Sequence, residues 1–442
     1  MLEGIFYFLR RYVVPKPVFE FFQPTYHRLL AFAGALIYGF PARGLTIIGV
    51  TGTNGKSTTV EMLHELFAAA GFKAASLSSV RFKIGEKMIE NRFKMTMPGR
   101  FFVQKFLRDA KRASITHVIL EVTSEGIKQY RHAYINFAAA VLTNLTPEHI
   151  ESHGGFENYK KAKGELFRAL AGKGISVVNL GDEHAGYFLS FPSKERVGYG
   201  LEIRDKRTNI NRTVAPARYE IDERGIKLYF AEGWEVMAPL RGKFNAENML
   251  AAIAVGEVFG VSHEVMRRVF AEFGGVSGRM EEIRSGEIRV VVDYAFTPNA
   301  LRQVYETLKQ EIGPGNKLIC VLGAAGGGRD KWKRPELGKI AGDYCSHVII
   351  TNEDPYDENP PAIMEDVRRG IAIGSAPYEV IEDRRLAIRD AIESARAGDI
   401  VVITGKGSES AMAVAGGRQI PWDDRAVVRE ELERLINIKK KI

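Results

Sequence analysis

Runs of consecutive apolar residues alternate along this chain with stretches whose apolar positions recur every three or four residues. Leu45–Val50 is a short run of the buried-strand kind, and Val60, Leu63, Phe67 and Ala70 follow at helical spacing before Gly71. His117–Val122 and Ala138–Leu142 are further buried-strand runs separated by amphipathic stretches, a pattern that predicts a parallel sheet covered by helices. Residues 201–240 break this rhythm: Tyr219–Ile221 and Ile226–Phe230 lie in alternating, charge-rich segments and read as antiparallel strands of a small appended sheet. After Gly274-Gly275 the alternation restarts. Arg289–Tyr294, Leu318–Gly323, His347–Thr351 and Ile400–Thr404 read as buried strands, with helical patterns at 298–311, 334–344, 361–373 and 383–397. The expected class is α/β: a central domain over 45–277, with a parallel sheet and a small antiparallel one, then a Rossmann-like domain over 278–442.

Residues 1–44 do not fit that rhythm. They hold 11 of the chain's 44 aromatic residues, including Phe6, Tyr7, Phe8, Tyr12, Phe22, Tyr26, Phe32, Tyr38 and Phe40, with Arg10, Arg11, Lys16 and Arg28 interleaved. Such a segment fits either a cover over an exposed face of the following domain or a membrane-surface or protein contact, and the cover is the expectation preferred here. Pro15, Pro17 and Pro24 predict short pieces rather than one long helix.

Composition narrows the class. With 45 % apolar and 26 % charged residues the chain has globular usage, and the fourteen residues free of charge between Arg28 and Arg43 fall short of the roughly 20 that a spanning helix needs. Two cysteines, Cys320 and Cys345, make no disulfide framework, and no secretory signal opens the sequence, so a cytoplasmic protein is expected. The net charge of +8 suits anionic ligands such as nucleotides but is too diffuse for a nucleic-acid groove.

The strongest chemical signal is Gly49-Val-Thr-Gly-Thr-Asn-Gly-Lys-Ser-Thr58, placed between a strand and a helix as a phosphate loop must be. Gly52, Thr53, Asn54 and Gly55 would turn backbone amides toward phosphates, Lys56 would reach the β- and γ-phosphates, and Ser57 and Thr58 would open the helix, Ser57 with its hydroxyl on Mg²⁺. The generic spacing is missed by one position, since Val50 stands where a glycine is usual. Glu121 closes an apolar strand, the usual place for a carboxylate that holds Mg²⁺ beside such a loop, although a solvated strand end has the same pattern. His149 alone reads more readily as a structural histidine, and Lys163, beside Lys160, Lys161 and Glu165, more readily as part of an exposed helix face.

Gly-Thr-Asn-Gly-Lys-Ser-Thr resembles the Mur ligases, ATP-dependent amide ligases of peptidoglycan precursor synthesis. The resemblance extends from residue 45 to about 430: Thr143-Asn-Leu-Thr-Pro-Glu-His149 with His153-Gly154, Tyr159-Lys-Lys-Ala-Lys163, Asp293-Tyr-Ala-Phe-Thr-Pro298, Arg329-Asp330, Lys333-Arg-Pro335, Thr351-Asn-Glu-Asp-Pro355, Asp383-Arg384, Gly405-Lys-Gly-Ser-Glu409 and Asp423-Asp-Arg425 are similar, in order, to signatures of the MurE branch. It implies ATP and two Mg²⁺ ions, with Ser57, Glu121, His149 and Lys163 at the metal sites and Lys163 as a carbamate, an anion suited to a hard cation. It places Asn248 near adenine, Arg279 near the phosphates and Asp293 on the ribose; the bland alternative for Arg279 is a hinge salt bridge. Arg329 and Lys333 would neutralise charge with Lys56. Thr96, Pro98, Ser124, Gln129 and Arg131 match positions that hold the muramoyl peptide, and Asp354, Tyr356 and Glu409 positions near the incoming amino acid.

The implied reaction is phosphoryl transfer from ATP to an acceptor carboxylate, followed by attack of an amine on the acyl phosphate. A folylpolyglutamate-synthase-like ligase and a non-catalytic nucleotide-binding subunit are the other readings. Four departures from the pattern bear on substrate choice. MurE-type chains carry a domain for the UDP end of the acceptor before their phosphate loop, whereas here Lys56 is already the loop lysine, so that domain is expected to be missing. Phe296 and Ser408 replace histidines, Thr123-Ser124-Glu125 stands where Ser-Ser-His is usual, and Tyr356 replaces the arginine that would clamp a second carboxylate. With Glu353, Asp354, Asp357 and Glu358 around it, Tyr356 is expected to favour a basic or neutral amino acid over diaminopimelate.

Overall fold

The computed structural model describes residues 16–91, 93, 95–204, 209–372 and 375–439. Nine strands form the first sheet: β1 (Thr46–Thr51), β2 (Ala74–Leu77), β3 (Arg81–Ile84), β4 (Lys87–Glu90), β5 (His117–Glu121), β6 (Phe137–Leu142), β7 (Ile175–Asn179), β8 (Glu195–Tyr199) and β9 (Arg212–Val214). They lie in the order β4-β3-β2-β5-β1-β6-β7-β8-β9, parallel except for the β2-β3-β4 meander at one edge. Alternate residues of β1 feed two cores. Ile48 and Val50 pack with Val60, Leu63 and Leu250 on one face, and Ile47 with Leu107, Leu166 and Phe167 on the other. Because both faces are covered, the central strands are apolar runs rather than alternating ones, which is why the sequence pattern identifies them.

The register sets the chemistry. Val50 pairs with Glu121 and Thr51 with Leu142, so the carboxylate of Glu121 and the segment after Leu142 both arrive beside the turn that follows β1. The appended sheet is present as β10 (Arg218–Asp222), β11 (Gly225–Tyr229) and β12 (Glu235–Ala238), all antiparallel.

A second sheet holds β13 (Glu281–Ser285), β14 (Ile288–Asp293), β15 (Leu318–Leu322), β16 (His347–Ile350), β17 (Tyr378–Val380) and β18 (Ile400–Thr404), in the order β13-β14-β18-β15-β16-β17. Only β13 runs against its neighbour. A hairpin of β19 (Ala411–Val414) and β20 (Arg418–Pro421) follows. Cys320 on β15 and Cys345 just before β16 are joined, their Cα atoms 6.1 Å apart; the sequence reading found no framework, and adjacent strands bring this one pair together.

The N-terminal segment departs from expectation. Lys16–Ile37 is one helix, α1, running through Pro17 and Pro24. Pro17 sits in the first turn, where no amide bond is lost, and Pro24 is exposed, where water can serve the freed carbonyl. As expected of a cover, one face of α1 packs on the first domain. Ala31 and Ala35 are buried, Phe32 and Phe40 meet the Tyr134 ring, and Gly34 lies against Phe101 of the helix Arg100–Arg112. Phe6, Tyr7, Phe8, Tyr12 and Pro15 lie outside the described residues.

Candidate active site

The turn between β1 and the helix Lys56–Ala69 can be built only with glycine at two places. Gly52 has φ 152°, and a Cβ there would stand 1.9 Å from Thr143 Oγ1; at Gly55, φ 82°, it would stand 2.2 Å from Asn248 Oδ1. The neighbours that forbid side chains also tie the turn down. Asn54 N–H donates to Asn144 Oδ1 at 2.9 Å, while Thr143 Oγ1 and Asn144 Nδ2 donate to the Asn54 carbonyl at 2.6 and 3.2 Å. Lys56 closes the turn by donating to the Thr53 carbonyl at 2.8 Å.

Around this turn a cleft of about 830 Å³ opens between the two sheets. Gly52, Thr53, Asn54, Gly55, Lys56, Ser57, Thr58, Thr96, Glu121, Ser124, Gln129, Arg131, His149, Lys163, Asn248, Arg279, Asp293, Arg329, Lys333, Asp354 and Glu409 all line it, so one cavity gathers residues spread over three hundred and fifty positions. Tyr356 does not line it. Its ring lies against Gly327, and its hydroxyl lies near the Arg329 guanidinium.

Ser57 Oγ donates to Glu121 Oε2 at 2.9 Å, and the same carboxylate oxygen accepts the Ser79 amide at 2.8 Å. Hydroxyl and carboxylate side by side at the start of a helix are a donor set for a hard cation shared with phosphate oxygens. Among the described residues no three His, Cys, Asp or Glu side chains cluster closely enough to hold a metal by themselves.

Lys163 is 2 % exposed, on the inner side of the helix Phe156–Arg168, so the exposed-face alternative is set aside. Its amine donates to the Gly52 carbonyl at 2.7 Å and lies 4.6 Å from the centre of the Tyr159 ring. Burial, and next the charge of Lys56, hold its pKa well below the ordinary lysine value. His149, with φ 55°, is pushed down to about 2 by burial and then by Arg329, Lys163, Lys333 and Lys56, so it is a neutral imidazole.

Lys333 pairs with Glu148 at 2.9 Å, both side chains buried, and its amine lies 4.9 Å from the centre of the Phe296 ring. Asp330 accepts the amides of Ile150 and Glu151, each at 3.0 Å. The segment after β15 is thereby docked on the segment after β6. Arg279 stacks on Tyr294 at 4.0 Å, its Nε buried without a protein partner, rather than forming a hinge salt bridge. Asp293 accepts the amides of Met280 and Ala295, each at 2.7 Å, and burial raises its pKa.

At the other end, Arg131 donates to Gln129 Oε1 at 2.8 Å and to the Met97 carbonyl, and Ser124 Oγ meets His153 Nε2 at 3.2 Å. Burial and the neighbouring Arg100 lower the Arg131 pKa to about 10, an electrostatic environment short of an anion. The acidic run around Tyr356 is largely committed within the protein. Asp354 accepts from Lys406 at 2.9 Å and from the Ala413 amide at 2.7 Å, Asp357 from the Gly416 amide at 2.8 Å, and Glu358 from Arg334 at 2.9 Å. Lys406 also reaches Glu409, whose other oxygen accepts from the Tyr294 hydroxyl at 2.9 Å. Glu148, Asp330 and Ser79 were not among the residues singled out; the first two lie inside quoted motifs, and nothing in the sequence marks Ser79.

Comparison with known proteins agrees with this architecture. The Mur ligase middle domain matches residues 50–256, and the Mur ligase glutamate ligase domain matches 278–407. The chain is 34 % identical over 401 residues to a UDP-N-acetylmuramoyl-L-alanyl-D-glutamate--2,6-diaminopimelate ligase of Cytophaga hutchinsonii, covering 90 % of this chain and 80 % of that one. To a UDP-N-acetylmuramyl-tripeptide synthetase of a Roseiflexus species it is 36 % identical over 445 residues, 96 % and 85 % of the two. A solved UDP-N-acetylmuramoyl-L-alanyl-D-glutamate--2,6-diaminopimelate ligase superposes with a TM-score of 0.59 at 32 % identity, covering 92 % of this chain and 81 % of that one. Folylpolyglutamate synthase of Mycobacterium tuberculosis, solved with ADP and AMPPCP, shares the fold at a TM-score of 0.68 and 20 % identity, with coverages of 86 % and 92 %. The chain belongs to the Mur ligase family of ATP- and magnesium-dependent, ADP-forming amide ligases.

Proposed function

We propose that this ligase adds an amino acid to a UDP-N-acetylmuramoyl peptide or a closely related cell-wall precursor in the cytoplasm, its chain divided as 1–44, 45–277 and 278–442. The observation that carries this is the convergence of Lys56, the Ser57–Glu121 pair and buried Lys163 on one cleft, in a chain 34 and 36 % identical to ligases named for such precursors. The folylpolyglutamate synthase likeness, at 20 % identity, speaks for the fold only.

Lys56, Arg329 and Lys333 would hold the β- and γ-phosphates, Asn248 the adenine, Arg279 the α-phosphate side and Asp293 the ribose. Arg131, Gln129, Ser124 and Thr96 would hold the acceptor, and Asp354 and Glu409 the incoming amine. The acceptor carboxylate then lies in line with the γ-phosphorus: its oxygen bonds to phosphorus as the bond to ADP breaks. The amine nitrogen next bonds to the acyl carbon, inorganic phosphate leaves and the nitrogen loses a proton.

The residues present fit magnesium and a carbamate. Ser57 and Glu121 offer adjacent oxygens, His149 is kept neutral, and Lys163 is desolvated toward the free amine that carbon dioxide requires. Two bound magnesium ions would supply charge neutralisation, with the Lys163 carbamate as one oxygen ligand. The test is phosphate release from ATP with UDP-muramoyl dipeptide and tripeptide acceptors across an amino-acid panel including lysine, ornithine and meso-diaminopimelate. ATP-dependent product with one such acceptor is expected; none with any acceptor would refute the reading.

A further inference from the structure

Helix α1 is apolar on two opposite faces. Ala31, Gly34 and Ala35 pack against the first domain, yet Leu29, Leu36 and Ile37, on the far side, are 63, 57 and 65 % exposed, and Phe32 between them is 42 % exposed. A helix apolar all round in a water-soluble fold leaves its outer stripe for something to cover. The small residues on its inner face bring it close to the helix Arg100–Arg112, so the two form one outer layer.

The charge of that layer says what covers it. Residues 22–43 and 100–112 hold seven Lys and Arg against the single acidic residue Asp109, most of the net charge of the whole chain. Arg28, Arg43, Lys105, Lys111 and Arg112 are exposed. Several sit on apolar surface: Arg43 lies 4.7 Å over the Phe40 ring, Arg108 lies 4.6 Å over the Tyr38 ring, and Lys111 donates to the Arg43 carbonyl at 2.8 Å. An exposed apolar stripe flanked by cations is the pattern of a helix lying in the plane of an anionic bilayer, aliphatic side chains among the acyl chains and ammonium and guanidinium groups at the headgroups. No helix among the described residues is long and apolar enough to cross a membrane, so the fit is to its surface.

We propose that α1 and the helix Arg100–Arg112 seat this enzyme on an anionic lipid surface. The seat adjoins the acceptor end of the cleft: His27 of α1 contacts the Arg100 guanidinium, and Arg100 Nε donates to the carbonyl of Gln129 at 3.0 Å, next to Arg131. Acceptors would then be met at the membrane face.

The test is co-sedimentation of the full chain with vesicles of phosphatidylcholine alone or mixed with phosphatidylglycerol. Binding to the mixed vesicles only is expected, falling about tenfold or more in Leu29→Glu/Leu36→Glu and in Lys105→Glu/Lys111→Glu, with unfolding temperature and turnover of a soluble acceptor unchanged. No binding to mixed vesicles, or equal binding to neutral ones, would overturn the proposal. So would a dimer in light scattering that Leu36→Glu dissolves, or a large loss of unfolding temperature in the Leu29 and Leu36 variant, which would mean that protein covers the stripe. Ligase activity is read separately, so loss of vesicle binding and failure of the assigned reaction are distinguishable.

Discussion

The amine of Lys163 donates to the carbonyl of Gly52 at 2.7 Å, inside the phosphate-loop turn and away from water. A lysine so placed, its pKa lowered by burial and by Lys56, is shifted toward the neutral amine that uptake of carbon dioxide would require. Lys163→Ala should abolish ligation, and short carboxylates added to the assay should restore part of it. In crystals grown with bicarbonate, density should extend past Nζ. A bare amine in the nucleotide- and magnesium-bound enzyme, together with an active alanine variant, would leave Lys163 a packing residue.

Lys56 is partly buried in the cleft wall, and burial lowers its pKa, so its charge is a cost in the unliganded protein. Lys56→Ala should cut ATP turnover by about three orders of magnitude while leaving the unfolding temperature the same or higher. Retained turnover would remove the nucleotide assignment.

Glu148 and Lys333 form a buried pair, and the second oxygen of Glu148 has no protein partner. Removing one member strands the other, so Lys333→Ala should destabilise by about 3–5 kcal/mol. Lys333→Met combined with Glu148→Gln should recover most of that in thermal unfolding. If Lys333 also neutralises phosphate, turnover stays low in the double variant; recovery of turnover with stability would show the pair to be purely structural.

Burial raises both Glu247 and Glu353 to about 7. These two groups therefore keep protons that the unfolded chain releases, and their contribution to stability falls as pH rises from about 4.5 through about 7, against the opposite contribution of His27, His64, His132 and His149, which burial keeps neutral in the fold. Glu247→Gln/Glu353→Gln should gain unfolding temperature relative to the parent chain as pH rises across that range. A difference between variant and parent that does not change with pH would contradict the burial argument.

Legibility in the sequence tracked local physics. The β1 turn and its helix were readable because Gly52, Gly55 and Lys56 are contiguous, and the strands because burial on both faces makes them apolar runs. Lys163 was readable only through resemblance, since its neighbours Lys160 and Lys161 point to a solvated helix face and burial is decided by the facing strand. The acidic run around Tyr356 was legible as composition but its partners were not: Arg334, Lys406 and the Ala413 and Gly416 amides, all distant in sequence or in the following hairpin, engage those groups. The long helix through Pro24 and the Cys320–Cys345 bond likewise depend on which element lies alongside.

Asp330 carries a consequence for how the protein comes apart. The short helix Ile150–His153 has at its start His149 in a left-handed conformation, with no side-chain cap of its own; the amides of Ile150 and Glu151 are received by an aspartate one hundred and eighty positions away, on the other side of the cleft. A helix in one half of the molecule is thus finished by the other half. Separating the halves leaves amide donors open, so melting of this region and parting of the halves are one cooperative event, and hydrogen exchange at Ile150 and Glu151 reports cleft opening directly.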